Sequence, residues 1–457
     1  MIPSPIRLAK PKPISRGLLE MFRPDPPAAV MLSDPELIRT NYRSWQKRVL
    51  ISSIIGYAAF YFVRKNLGIA MPIMEHQLGI GKTSLGLFLT LHGLLYGVSK
   101  FANGFFADRA NARTFMAAGL ILAAVSNVFF GFSSTVIALG VFWMINGWFQ
   151  GMGFPPCARL LTHWFPPRQL ATKMSIWNAS HTLGAGLIVI LGGYLVTTSW
   201  RLCFLVPAAI ALCCAVYVLR TVPDTPPSVG LPEVEGTETE ATAENAEEDF
   251  RAILMRKVFR NPYVWLISLA NFFVYTIRYA VLDWGPSVLT QAKHVHISHA
   301  GWMVAAFEFS GAFGSLLAGW MTDRFFAGRA AWSCIVFMAM AGVSILLFWL
   351  NPYPSEWLNA AILCGAGFFI YGPQCMVGVM AANLGTKRAA ATAVGLTGLF
   401  GYASTLLSGV GLGALVEHRG WDMGFQGLLI IAAIGTVLFV VALGAKADGY
   451  EVAKPKA

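Results

Sequence analysis

Two arginines stand where a guanidinium is costly. Arg64 ends the run Tyr57-Ala-Ala-Phe-Tyr61-Phe-Val-Arg64-Lys65-Asn66, and Arg278 sits in Asn271-Phe-Phe-Val-Tyr275-Thr-Ile-Arg278-Tyr279. Both runs are otherwise apolar, each arginine follows a tyrosine by three residues, and the two arginines are 214 residues apart. A charged side chain at bilayer depth costs roughly 2.5–3.5 kcal/mol even on lenient insertion scales, so such a residue implies a site. A guanidinium stays charged and offers a planar fork of donors that fits phosphate oxygens in pairs. Two of them at matched positions could neutralise a phosphate dianion. The alternative is that each is the counter-ion of a buried acid, and Glu308 and Asp283 are the candidates within the apolar segments. On a helix Arg64 and Lys65 would point about 100° apart. Arg64 is therefore assigned to the anion and Lys65 to a charge pair with Glu308 or Asp283.

The elements that must carry these residues are membrane helices. Of the 457 residues 56% are hydrophobic and 12% charged, with mean hydropathy +0.58, outside the range of soluble globular proteins. Twelve apolar segments long enough to cross about 30 Å of hydrocarbon as helices fall near 49–73, 84–107, 114–132, 135–160, 171–197, 200–220, 262–290, 298–323, 329–350, 356–382, 388–416 and 421–444. The net charge of +11 suggests nucleic acid until its placement is examined. With both termini inside, 26 Lys/Arg lie on the cytoplasmic side, 4 outside (Lys82, Arg201, Lys293, Arg419) and 4 within spans (Arg64, Lys65, Lys100, Arg278). That asymmetry is the positive-inside pattern. The seven cysteines lie in apolar segments without metal-ligand spacing, so neither a metal nor a redox cofactor is expected.

The chain also repeats itself. Gly104-Phe-Phe-Ala-Asp108-Arg109, followed by Arg113, returns as Gly319-Trp-Met-Thr-Asp323-Arg324, followed by Arg329, at an offset of 215. Gly153-Phe-Pro155-Pro-Cys157 returns in part as Gly372-Pro373-Gln-Cys375 at 218. With the arginine pair, these offsets predict two copies of a six-helix unit, residues 41–220 and 262–444. Residues 1–40, Pro-rich and basic, read as a mostly loose cytoplasmic arm rather than a secretion signal; 221–261, with its acids between Glu233 and Asp249, as a solvated cytoplasmic linker; 445–457 as a cytoplasmic tail. Gly81-Lys82-Thr83 mimics part of a phosphate-binding loop, but His76 stands where its first glycine is needed.

Two six-helix halves, a Gly-x-x-x-Asp-Arg loop in each and a long central loop resemble the major facilitator superfamily. Within it, the run Gly56 to Asn66, Tyr96-Gly-Val-Ser-Lys100-Phe, Trp148-Phe-Gln-Gly-Met-Gly153, Trp177-Asn178-Ala-Ser-His181 and Leu282-Asp283-Trp284 resemble the organophosphate:phosphate antiporters, from Tyr42 to about Leu443. The resemblance implies an all-α membrane protein of twelve helices in two pseudo-symmetric halves. It also implies that Arg64 and Arg278 are the phosphate-binding pair, and that an external organophosphate is exchanged for internal phosphate across a bacterial inner membrane. His181 and Asn178 then belong to the site rather than to packing. Lys100 either steers anions or reaches toward the membrane surface. Tyr57, Tyr61, Tyr275, Tyr371 and Tyr402 line the pocket or fill the core. Asp108, Arg109, Arg113, Asp323 and Arg324 form charge relays that hold one conformation closed. Hexose-phosphate exchangers carry Asp and Lys at the places of Val394 and Thr397, which favours glycerol 3-phosphate here. Cys157-Ala-Arg-Leu-Leu-Thr162 and Asn261-Pro-Tyr-Val-Trp265 look closer to the hexose-phosphate sensor branch, so a hexose-phosphate carrier or a sensor of it stays open. The expected partners are a small organophosphate, inorganic phosphate and the bilayer, with no nucleic acid, no cofactor and no enzyme activity; a monomer is expected.

Overall fold

The computed structural model describes residues 20–234, 252, 254–352 and 355–445, apart from the side chains of 101, 105, 108, 109, 167–172, 175 and 386–391. It is helical throughout, with no strand among the described residues. The helices are α1 (Pro35–Phe62), α2 (Asn66–Leu78), α3 (Lys82–Arg109), α4 (Ala112–Phe132), α5 (Val136–Gln150), α6 (Phe154–Trp164), α7 (Pro167–Thr198), α8 (Leu202–Thr221), α9 (Pro262–Gln291), α10 (Ile297–Phe325), α11 (Ala330–Leu350), α12 (Glu356–Ala403) and α13 (Leu412–Ala442).

Ten stretches are long and apolar enough to cross a membrane. The broken first helix, α1 with α2, adds one. Thr392–Ala442 holds two, because it bends at Gly420 (φ 79, ψ 175), where a left-handed glycine ends one span and opens the next. Twelve spans result. The 48 residues of α12 would reach about 72 Å if straight, far beyond a hydrocarbon core. Instead they double back. Arg278 of α9 bonds Tyr371 while its neighbour Tyr275 packs on Gly401, thirty residues further along α12.

The first span does not run through as one helix. Val63 (φ −100, ψ 16) and Lys65 (φ −101, ψ 5) leave the helical region, so Arg64 and Lys65 lie in a break between α1 and α2. The expectation that they point 100° apart on one helix is thereby corrected: here the break, not helical rotation, sets their directions. Buried amides satisfy the polar groups that the break frees, as a hydrocarbon setting demands. Asn127 Nδ2 donates to Val63 O at 2.9 Å, Asn66 Nδ2 donates to Asn127 Oδ1 at 2.7 Å and to Cys203 O at 2.9 Å, and Gln150 Nε2 donates to Phe60 O at 3.1 Å. The fourth span is broken as well, between α5 and α6 at Gly151–Gly153.

The two six-helix sets meet along three seams. A methyl group on Gly301 of α10 would stand 2.6 Å from Val189 O of α7, so only glycine allows that approach. Lys65 and Asp283 join the first span to α9. Thr90 of α3 donates to Thr405 O at 2.6 Å and accepts from Val410 N at 2.9 Å. At the Lys82 end two carboxylates cross the seam: Glu417 accepts from Thr83 N at 2.6 Å, capping α3, and Glu75, paired with Lys82, accepts from Gln291 Nε2 at 2.8 Å. These contacts all lie between the Lys82 end and the level of Tyr96 and Tyr402, whose rings meet at 4.9 Å.

The N-terminal arm is not loose along residues 20–34. Phe22 packs edge-on against Phe115, Asn111 N donates to Phe22 O at 2.7 Å, and Leu32 N donates to Gly230 O at 2.8 Å. Asp224, fully buried, takes Arg159 Nη1 at 2.6 Å and Ala112 N at 2.9 Å, so the Pro-rich start of the linker, ahead of its acidic part, is clamped to the first half. Most of the acidic stretch and of the C-terminal tail lie outside the described residues.

Replacing Asn127 by Leu would leave Val63 O with only the longer bond from Gln150 Nε2 at 3.4 Å and take from the Asn66 amide one of its two acceptors. The expected cost is about 2–3 kcal/mol, read as a lowered thermal unfolding midpoint in detergent, with Ser126→Ala on the same turn as the near-neutral control.

Candidate functional site

The break and α9 bring their cations to one central cavity, and each reaches a different partner. Lys65 Nζ sits 2.7 Å from Asp283 Oδ1 and over the ring of Tyr279 at 4.7 Å. Of the two acids proposed for it, Asp283 is the partner. Glu308 instead lies 3.5 Å from Arg278 Nη2, a looser pair, while Arg278 Nε donates to Tyr371 Oη at 3.0 Å. Glu308 is fully buried, with Oε1 unpartnered, so Arg278 supplies its counter-charge. Arg278 is thus both a counter-ion to an acid and a wall of the cavity.

Arg64 has no carboxylate partner among the described residues. Its guanidinium lies over Tyr96 at 3.9 Å and over Tyr61 at 5.4 Å. Lys100 is held likewise, over Phe154 at 3.9 Å and Tyr402 at 5.6 Å. Aromatic faces attract a cation by about 1–2 kcal/mol when desolvated, well short of a second charge. Among the described residues the four cations therefore face two carboxylates, and two positive charges have no acid opposite them.

The aromatic rings form two groups. Tyr57 lies tilted at 4.7 Å from Trp177 and meets Tyr61 at 5.7 Å, and Tyr61 meets the ring of His181 at 5.9 Å; Tyr275 meets Tyr279 at 5.5 Å. His181 Nδ1 bonds the carbonyl of Asn178, and Nε2 lies 3.4 Å from Thr182 Oγ1. The Asn178 side chain is exposed. The structure thus gathers Arg64, Arg278, Lys100, His181 and all five expected tyrosines around one centre.

The relay residues behave differently. Arg113 pairs with Asp25 of the arm at 3.0 Å. The side chains of Asp108 and Arg109 lie outside the described residues. Asp323 and Arg324 are exposed and make no ion pair among the described residues. Arg329 donates to Leu443 O at 2.9 Å.

His92 was not singled out in the sequence, and Tyr96, Trp177 and Tyr279 were quoted in its motifs without being given a role at the site. His92, Tyr96 and Lys100 follow one another at i, i+4 and i+8 on α3, and Tyr275 and Tyr279 at i and i+4 on α9. That spacing was the available signal.

A polytopic helical bundle with a buried charged cavity between two halves is the architecture of a membrane transporter. The chain matches the Major Facilitator Superfamily over residues 53–409 and belongs to it. It is 40% identical to a probable hexose phosphate transport protein of Chlamydia trachomatis serovar D, with 90% of this chain and 93% of that one covered. It is 38% identical to the glycerol-3-phosphate transporter of Bacillus subtilis strain 168 (93% and 97% covered) and 35% identical to the membrane sensor protein UhpC of Salmonella typhimurium (93% and 98%). Among solved structures, a bacterial homologue of the human lysosomal transporter Spinster, inward-facing and occupied, aligns with TM-score 0.72 over 90% of this chain and 98% of that one, at 16% identity, a likeness of fold. The protein is a transporter of this superfamily and not an enzyme.

Removing Asp283 alone would leave Lys65 buried without a counter-charge. Asp283→Asn is expected to cost about 3–5 kcal/mol, whereas the paired change Lys65→Met with Asp283→Leu recovers most of it. Thermal unfolding of the parent and the two variants in detergent compares them directly.

Proposed function

We propose that the protein exchanges a phosphate ester, glycerol 3-phosphate in the first place, for inorganic phosphate across a bacterial inner membrane. The observation that carries this reading is the charge balance of the cavity: Arg64 and Lys100 rest on aromatic rings without acids, and the two unmet charges match those of a phosphate monoester dianion. Arg64 and Arg278 are the proposed clamp, with Lys100, His181, Asn178 and the tyrosines around the bound anion. Lys65 with Asp283 and Arg278 with Glu308 set the remaining charge.

Exchange follows from electrostatics. With the cavity empty, closing both ends over two uncompensated cations in a low dielectric is unfavourable. A bound phosphate supplies the missing charge and makes contact with both halves, so reorientation is easy when loaded and hard when empty. The units proposed to rock are 41–220 and 262–444. With the 26 cytoplasmic cations setting the orientation, both termini lie inside and the Lys82 end faces out. Glu417 on Thr83 and Glu75 on Gln291 would then be the outer latch, opened on each cycle by a monomer. Asp108, Arg109 and Arg113 with Asp323 and Arg324 are proposed to close the inner end in the opposite conformation.

Glycerol 3-phosphate is favoured because Val394 and Thr397 present no charge to a sugar. Thr397 is buried, its hydroxyl donating to Val394 O at 2.8 Å and its carbonyl accepting from Asn271 Nδ2 at 2.8 Å. Hexose phosphate is the second reading, favoured by the identity to the Chlamydia relative; sensing without transport is a third, favoured by the identity to UhpC.

The test is uptake of labelled phosphate by proteoliposomes preloaded with phosphate or left empty, with glycerol 3-phosphate and glucose 6-phosphate as competitors. Uptake only into loaded vesicles, competed best by glycerol 3-phosphate, is expected; saturable binding with no uptake would indicate a sensor. Arg64→Lys and Arg278→Lys are expected to reduce exchange at least about 100-fold, as loss of a charge-assisted fork worth about 3 kcal/mol implies. Exchange retained in either variant would rule out the paired clamp. His181→Ala is expected to raise the half-saturating phosphate concentration in the same assay, with the exchange rate at saturation less affected.

A further inference from the structure

One polar side chain of the cavity has no part in holding phosphate. His92 lies one turn of α3, about 6 Å, from Tyr96 on the side away from Lys100. It is buried, stacks on Trp143 at 4.9 Å, and lines a cavity together with Arg64, Lys65, Asp283, Tyr279 and Thr405. Its Nε2 lies 3.1 Å from Asn146 Oδ1. The orientation of that amide is settled by its other end, since Asn146 Nδ2 donates to Ala123 O at 3.1 Å and a carbonyl can only accept. Oδ1 must therefore face the histidine, and Nε2 must carry the proton. In the neutral ring Nδ1 is then a lone pair, and no partner meets it among the described residues.

An acceptor is out of place in a phosphate site. Arg64, Lys65, Lys100 and Arg278 all donate, and the tyrosines donate to phosphate oxygens. Among the described side chains around this part of the cavity, the carboxylate of Asp283 is committed to Lys65, the Thr405 hydroxyl donates to Tyr402 O at 2.8 Å, and the hydroxyls of Tyr279 and Tyr402 can donate as well as accept, which leaves His92 Nδ1 as the acceptor without a proton of its own. A phosphoryl group at Arg64 would place the organic part of an ester within one turn of His92. A hydroxyl there would find in Nδ1 the partner that phosphate does not need.

We propose that His92 is a specificity residue: held as the Nε2–H tautomer by Asn146, it accepts a hydrogen bond from a hydroxyl on the carbon skeleton of the phosphate ester. This rests on the phosphate-ester reading above and adds what selects among esters. A buried polar group left unpaired makes a site reject the analogue that lacks the matching donor. The protein should then distinguish glycerol 3-phosphate from 1-propyl phosphate, which has the same chain and phosphoryl group but no hydroxyl.

The experiment measures both compounds as competitors of phosphate:phosphate exchange in proteoliposomes, for the parent, His92→Phe and Asn146→Ala. His92→Phe keeps a ring on Trp143 and removes the acceptor; Asn146→Ala keeps the ring and frees its tautomer. The parent is expected to prefer glycerol 3-phosphate about tenfold, with the preference falling at least about fivefold in both variants, the range of one buried hydrogen bond. Phosphate exchange itself should stay within about twofold of the parent, since one such bond is all that changes. An equal response of the parent to the two esters would overturn the proposal whatever the variants do. So would a preference that survives His92→Phe, or phosphate exchange lost along with it, which would put His92 in the phosphate clamp. A parent that exchanges no phosphate at all would instead refute the antiport reading, an outcome separate from the other three.

Discussion

A cation in hydrocarbon must find a partner, and the structure depends on how incompletely this is done. Lys65 and Arg278 have acids. Arg64 and Lys100 have only rings, at 3.9 Å each. An aromatic face stabilises the charge enough for the fold to tolerate it but leaves the donors of the guanidinium and ammonium free of oxygen acceptors. A carboxylate at Arg64 would make a more comfortable resting state and a worse binding site, because the ligand would have to displace it. Tyrosine and phenylalanine compensate without competing.

Positioning such a charge requires backbone that is itself expensive at membrane depth. The turn at 63–65 frees carbonyls that no helix satisfies, and Asn66, Asn127 and Gln150 answer them with amides from α2, α4 and α5. An amide suits the task better than a charged group, since it donates and accepts without adding to a cavity already in positive excess. Anchoring the break to two further spans ties the direction of Arg64 to the body of the first half. The clamp should therefore move with that half as a unit when the halves rock.

Much of this was legible in the sequence because charge in an apolar run is a strong signal. The two arginines, their tyrosines and the offset of 214–215 pointed to a duplicated architecture and to a proposed site between its halves. Lys65 was correctly given to an acid, but the choice between Asp283 and Glu308 needed the fold. The helical rotation assigned to it failed because nothing in Phe62-Val63-Arg64 announces a break; no proline or glycine stands there, and the turn is imposed by amides 60 and more residues away. His92 was overlooked and Tyr96, though quoted with Lys100, was given no role, because both sit among apolar neighbours where a ring reads as packing; their spacing from Lys100 places them on one face. Asp224 looked like part of a Pro-rich linker. Its burial against Arg159 depends on contacts 65 residues apart, for which a local pattern has no counterpart.

The two halves repeat each other in sequence more closely than in how they hold their arginines. Arg278 belongs to the uninterrupted helix α9, with Tyr371 and Glu308 on its guanidinium; Arg64 stands in a backbone break with aromatic rings only. A symmetric pair would bind a symmetric anion equally from either side. This pair does not, because one fork is already partly neutralised and the other is bare. On the proposed reading the stronger field at Arg64 draws the phosphoryl group nearer the first half, and the remaining substituent of an ester would point toward the space that Lys65, His92 and Thr405 enclose with Asp283 and Tyr279. Duplication provides two matching halves that can rock. The divergence between them gives the ligand one orientation, and a carrier that distinguishes one phosphate ester from another needs that orientation as much as it needs the charge.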